Sequence, residues 1–177
     1  MPGETPDMLL AALRIGGPDA DAARAALNHD SGIRAGVASL LAASLRPTDT
    51  SIARELLTQE IAAHEVAGHG ASETLYTLIA AVARYADPDD VLLLWRARQA
   101  TPETRTGIDV EQLARAGIER VRRWLTTLAR GPEPRASEAR QALKWLESGV
   151  AAGALDDLPG YFAWADERFG LHISGPT

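Results

Sequence analysis

A chain of 177 residues, 46% hydrophobic and 24% charged, is long enough to bury a core of its own, and no stretch reaches the roughly 18 apolar residues of a membrane span. It contains no cysteine, which excludes a disulfide framework and every thiolate zinc site. A formal net charge of -6 argues against nucleic acid as a general partner, because affinity for phosphates comes from the cations that neutralise them.

Lys144 is the only lysine among the 18 basic residues. The charge is unevenly placed: between Arg96 and Arg140 ten Arg stand against six acids, a local +4, while the rest of the chain is acidic. Such a split can orient a partner. Met1 to Thr5 has neither the basic nor the apolar region of a secretion signal, so the expectation is one domain over 1–177 in the cytoplasm.

Apolar residues recur every three or four positions, and no alternating run bounded by turn residues occurs, which predicts an all-α chain. The first helix, 6–15, follows Thr5-Pro6, where Thr offers a capping oxygen and Pro occupies the first helical position, at which its missing N–H is not needed. Helices over 19–29 and 32–45 come next. The fourth, 50–66, carries an apolar stripe of Ile52, Leu56, Leu57 and Ile61, into which Glu60 and His64 also project. Two polar groups in such a stripe must bond to each other or to a partner, and such pairs are a marker of functional sites. One reading is an internally satisfied pair; the other is a metal, ligand or acid–base site that His69 completes from its Gly-flanked turn. The run His64-Glu65-Val66-Ala67-Gly68-His69 is one residue too long for the zinc-protease motif H-E-x-x-H. Five residues turn a helix by about 500°, leaving the imidazoles roughly 140° apart, and Gly68 is expected to end the helix before His69. No metal-ligand set and no cofactor motif is read from the chain.

The helix predicted over 72–86 sets Leu75, Leu78, Ile79, Val82 and Ala86 on one stripe, opposite Glu73, Thr77 and Arg84, which predicts a solvent side. That over 88–99, entered by Asp87-Pro88, is apolar in consecutive positions from Val91 to Trp95 and is expected to be covered on several sides. Thr101-Pro102 marks another helix start. The clearest pattern runs from Asp109 to about Ala129, with Val110, Leu113, Ile118, Val121, Leu125 and Leu128 on the apolar side and Asp109 with Gln112 as a capping box. Its polar side carries Arg115, Arg122 and Arg123, candidate cations for a phosphate backbone together with Arg96, Arg98 and Arg130, although Glu111 and Glu119 interleave them. Helices over 136–152 and 159–169 close the chain. Tyr161, Phe162, Trp164 and Phe169 place four aromatics within nine residues. They either fold over Trp145 to cap the core or form an exposed patch in which Tyr161 and Trp164 meet a partner.

The phrase Ala-Arg-x-x-Leu appears at Ala23-Arg24-Leu27, Ala53-Arg54-Leu57 and Ala139-Arg140-Leu143, each time five or six residues after a Pro. The spacings suit a unit of roughly 30 to 43 residues. The stretches from Pro18 to Leu27 and from Asp87 to Val91 resemble the Asp/Pro turn and following helix of HEAT-like repeats, the α-solenoid class that includes armadillo arrays. The likeness covers short stretches of three or four units, and Leu92 stands where the family pattern has Arg. It implies stacked antiparallel helix pairs, about nine helices in a HEAT-like α-solenoid or an irregular helical bundle, forming a scaffold that binds protein and, in some members, nucleic acid. It supplies no catalytic residues. The chain shows no phosphate-binding glycine loop, dinucleotide fingerprint or nucleophile elbow. The expected function is therefore a non-catalytic protein–protein interaction scaffold whose partner is another protein. The alternatives are a metal- or ligand-binding helical enzyme with a site at Glu60, His64 and His69, and a DNA-binding HEAT-like protein.

Overall fold

The computed structural model describes residues 5–171, so of the stretch Met1 to Thr5 only Thr5 lies within it. The described residues form an all-α bundle without strands. Helices α1 (Pro6–Ile15), α2 (Pro18–His29) and α3 (Ser31–Ala43) come first, and a 3-10 turn, Pro47–Asp49, leads into α4 (Thr50–Ala67) and α5 (Glu73–Arg84). A second 3-10 turn, Pro88–Asp90, leads into α6 (Val91–Gln99) and α7 (Pro102–Gly107). Then follow α8 (Glu111–Ala114), α9 (Ile118–Leu128), α10 (Arg135–Ala151) and α11 (Leu158–Arg168).

The described residues hold eleven α-helices, the nine segments read from the sequence plus two short ones. One addition is α7, six residues long and too short to show a period, although Thr101 does cap it by accepting from the Thr104 N–H at 3.1 Å. The other comes from a break in the pattern that runs from Asp109. Gly117 has φ +94°, a backbone that side chains rarely adopt, and its N–H closes α8 on the Ala114 carbonyl at 2.8 Å before α9 begins. The capping box read at Asp109 does not form, because Val110 takes the N-cap position and the side chains of Asp109 and Gln112 both bond to Tyr161 instead.

Helix α5 is the centre of the bundle, packed against α3, α4, α6 and α8. Every residue from Thr77 to Ala83 is buried, so the solvent side read from its sequence shrinks to the end at Glu73. A sequence stripe marks what one neighbour covers; small residues such as Ala80, Ala81 and Ala83 let further neighbours close on the other side. The run Val91–Trp95 is covered as expected, with Val91, Leu92, Leu94 and Trp95 buried. Around this centre α3 packs on α1 and α2, α10 lies across α9 and α6, and α11 rests on α8. One continuous core runs from Leu9 to Leu171, and each fully buried Leu in it stabilises the fold by about 1.5–3 kcal/mol.

Two ion-pair clamps tie successive parts of the chain. Asp49 and Asp90 each stand third in a 3-10 turn and accept from the backbone N–H of Arg46 at 3.1 Å and Asp87 at 2.9 Å. Each also takes the guanidinium fork of an upstream helix: Arg14 reaches Asp49 at 2.7 and 3.1 Å, and Arg54 reaches Asp90 at 2.8 Å through its Nη2. Both carboxylates are buried.

Candidate functional site

Glu60 is buried on α4, and its missing partner is Arg34 on α3. Arg34 donates from Nε to Glu60 Oε2 at 2.7 Å and from Nη1 to the Leu27 carbonyl at 2.7 Å. The other Glu60 oxygen accepts from the Ser72 hydroxyl at 2.7 Å, and Ser72 Oγ also caps α5 by accepting from the Leu75 N–H. His64 Nε2 lies 3.1 Å from Ser72 Oγ. Since that hydroxyl spends its one hydrogen on Glu60, Nε2 is the donor and carries the proton. The cluster is closed: each acceptor oxygen of Glu60 meets a protein donor. Sequence reasoning missed Arg34, yet a signal was present, for it lies three, four and seven residues before Val37, Ala38 and Leu41, on the buried stripe of its own helix.

His69 is not brought to this pair. α4 ends at Ala67, Gly68 turns left-handed with φ +72°, and His69 emerges exposed on the far side of that turn. It lies near Glu103, whose carboxyl is held below its ordinary range chiefly by its own N–H and by that of Gly70. Among the described residues no group of three or more His, Asp or Glu is gathered as a metal site.

The Arg residues read as one basic face are dispersed. The Arg115 side chain is buried and bonds Asp166 of α11 at 2.6 Å, with its guanidinium 4.7 Å from the centre of the Phe162 ring. Arg84 approaches the same Asp166 oxygen at 3.4 Å, so α11 is latched to α5 and α8 through one carboxylate. Arg122 is taken up by Glu147 at 2.6 Å and by Glu119. Arg96 pairs with Glu138 of α10, and Arg98 lies 4.2 Å over the ring of Trp145, where burial lowers its pKa. Arg123 is exposed, beside Asp87, Arg120 and Trp124, and has no ion-pair partner among the described residues.

The C-terminal aromatics build a different feature. They do not cover Trp145, which instead packs on Trp95 of α6 with ring centres 5.7 Å apart. α11 lies where Tyr161, Trp164 and Phe169 meet Tyr76 of α5, and together they line a cleft of about 180 Å³ that also includes Glu73, Asp109 and Gln112. Successive ring centres, Tyr161 to Trp164 to Phe169 to Tyr76, are 5.6, 6.4 and 6.3 Å apart. Trp164 remains 52% exposed while Tyr161 and Phe169 are half-buried. The Tyr161 hydroxyl donates to Asp109 Oδ2 at 3.1 Å and accepts from Gln112 Nε2 at 3.1 Å. Burial first, and the Asp109 charge second, push the Tyr161 phenol well above its ordinary range; Tyr76 is raised by burial and by Asp109, Glu103 and Glu73. At the rim Arg168 bonds Glu73 at 2.8 Å and sets its guanidinium 5.5 Å from the centre of the Phe169 ring. Gly107 completes the wall, for a Cβ there would collide with the Tyr76 hydroxyl.

Comparison with protein-family models, with curated proteins and with solved structures finds none that matches this chain. No helix among the described residues is long and apolar enough to cross a membrane.

Proposed function

We propose that the protein is a non-catalytic interaction module of HEAT-like stacked-helix type, and that the cleft beside α11 is where it holds another protein. The observation that carries this reading is Trp164, a large ring left half in solvent at the mouth of an otherwise ring-lined cleft. Exposed aromatics beside a pocket are the residues that anchor partners. The other two candidate sites are used up internally: Glu60 and His64 by Arg34 and Ser72, and most of the Arg residues by acids of neighbouring helices. The HEAT-like part of the reading is supported by the two clamps, each of which joins a helix to a 3-10 turn further along the chain, over separations of 35 and 36 residues. Native mass spectrometry of the protein drawn from its own cells tests the proposal. A stoichiometric partner retained by the wild-type chain and by Arg123→Ala, but lost in Trp164→Ala, is the expected result. Retention that ignores Trp164→Ala would remove the cleft from the account.

A further inference from the structure

We infer that the α11 cleft recognises an alkylated ammonium group, a quaternary nitrogen above all. This rests on the reading of that cleft as the recognition surface and names the chemistry it takes. Four rings, Tyr76, Tyr161, Trp164 and Phe169, stand in an unbroken series along it. Ring faces carry negative charge density and attract a cation, most strongly one that water holds weakly. The cleft already holds one such contact, for Arg168 lies against Phe169 while paired to Glu73.

Charge and hydrogen bonding narrow the ligand further. Two carboxylates, Glu73 and Asp109, line the cleft against the single cation Arg168, so an anion is disfavoured. The upward displacement of both tyrosine phenols reports, beside burial, the same negative field from Asp109 and its acidic neighbours. A primary ammonium or guanidinium would bring N–H donors that need acceptors. Here Glu73 is taken by Arg168, Asp109 Oδ2 by the Tyr161 hydroxyl, and the Tyr161 oxygen by the Gln112 amide nitrogen; the buried Gln112 Oε1 is left without a partner, a single acceptor where a primary ammonium brings three N–H groups. A quaternary nitrogen has no N–H to satisfy and needs only charge and ring faces. The volume of about 180 Å³ lies below the roughly 300–1,000 Å³ of sites for drug-sized molecules, and so suits a single head group.

The same head group occurs on free choline-type amines and on a trimethylated lysine of a partner. Three probes separate the possibilities: choline, its uncharged carbon analogue 3,3-dimethylbutan-1-ol, and a peptide carrying trimethyllysine beside its unmodified form. Each is titrated into the full chain while the amide resonances of Tyr76, Gly107 and Trp164 and the N-methyl protons of the probe are followed. The expected result is upfield N-methyl shifts, binding of the quaternary probes at least tenfold tighter than of the carbon analogue, and a tenfold or greater loss in Trp164→Ala. Arg168→Gln, which removes the cation at the rim, should tighten binding severalfold. Preference for the peptide assigns the group to a partner side chain, and preference for choline assigns it to a free amine. Equal weak binding of choline and the carbon analogue, or indifference to Trp164→Ala, overturns the inference. If no quaternary probe binds while a partner protein is still lost in Trp164→Ala, the ammonium assignment fails and the interaction surface stands.

Discussion

Arg34 and Glu60 meet at 2.7 Å with almost no exposed surface, and at that depth the energy of either group depends on the other. Removing one member of a buried pair leaves an uncompensated charge, which destabilises by about 3–5 kcal/mol, whereas replacing both by apolar residues is often nearly neutral. Arg34→Leu alone should therefore lower the urea-unfolding free energy by several kcal/mol, and Arg34→Leu with Glu60→Leu should recover most of the loss. A single substitution worth under about 1 kcal/mol would mean that Glu60 is held by something else. Tyr161 gives a pH signature of opposite origin. Its phenol is raised in the folded chain, so above the unfolded value of about 10 the unfolded state releases a proton that the folded state keeps. The unfolded state then binds fewer protons, and stability is full below about pH 10 and falls as pH rises beyond it. Tyr161→Phe should lose about 1–3 kcal/mol at neutral pH from its two hydrogen bonds, yet show a flatter fall in thermal stability between pH 9 and 11.

Among the helices, the division between α8 and α9 decides what the cleft becomes. The apolar period from Val110 to Leu128 is unbroken in sequence, and only Gly117 at φ +94° turns the chain so that α8 runs separately. That separation lets Asp109 and Gln112 face Tyr161 and lets Arg115 reach Asp166. Gly117→Ala forces a side chain into a conformation that costs about 1–3 kcal/mol, and a straightened helix would relieve the strain at the expense of those contacts. The expected outcome is a loss of that size in chemical denaturation, together with faster amide exchange in α11 than in α4 or α5. Unchanged α11 protection would show that the latch does not depend on the break.

Across the molecule, the two clamps and the central α5 join the parts into one core. Asp49 and Asp90 share no partner, so their contributions should be independent. Arg54 is 41% exposed and Arg14 only 20%, so solvent screens the second clamp more than the first. Asp49→Ala should accordingly cost more than Asp90→Ala, with each near 2–3 kcal/mol once the lost turn hydrogen bond is included. The double variant should equal the sum within about 0.5 kcal/mol. A larger departure in the urea midpoint would show that the two turns are coupled through α4 and α5.

Hydrophobic periodicity and the Thr/Pro and Asp/Pro starts determine, from the sequence alone, that this chain is helical, where most helices begin, and that Val91–Trp95 is enclosed. These are local properties, written in residues a few positions apart. The tertiary structure alone decided which polar groups are satisfied and which rings share a space. Arg34 and Glu60 are 26 residues apart and Tyr161 and Asp109 are 52 apart. Tyr76 joins the C-terminal rings only because α5 and α11 flank α8. Contacts of that kind depend on how helices pack and on one glycine's backbone angle, and helical period carries no record of either.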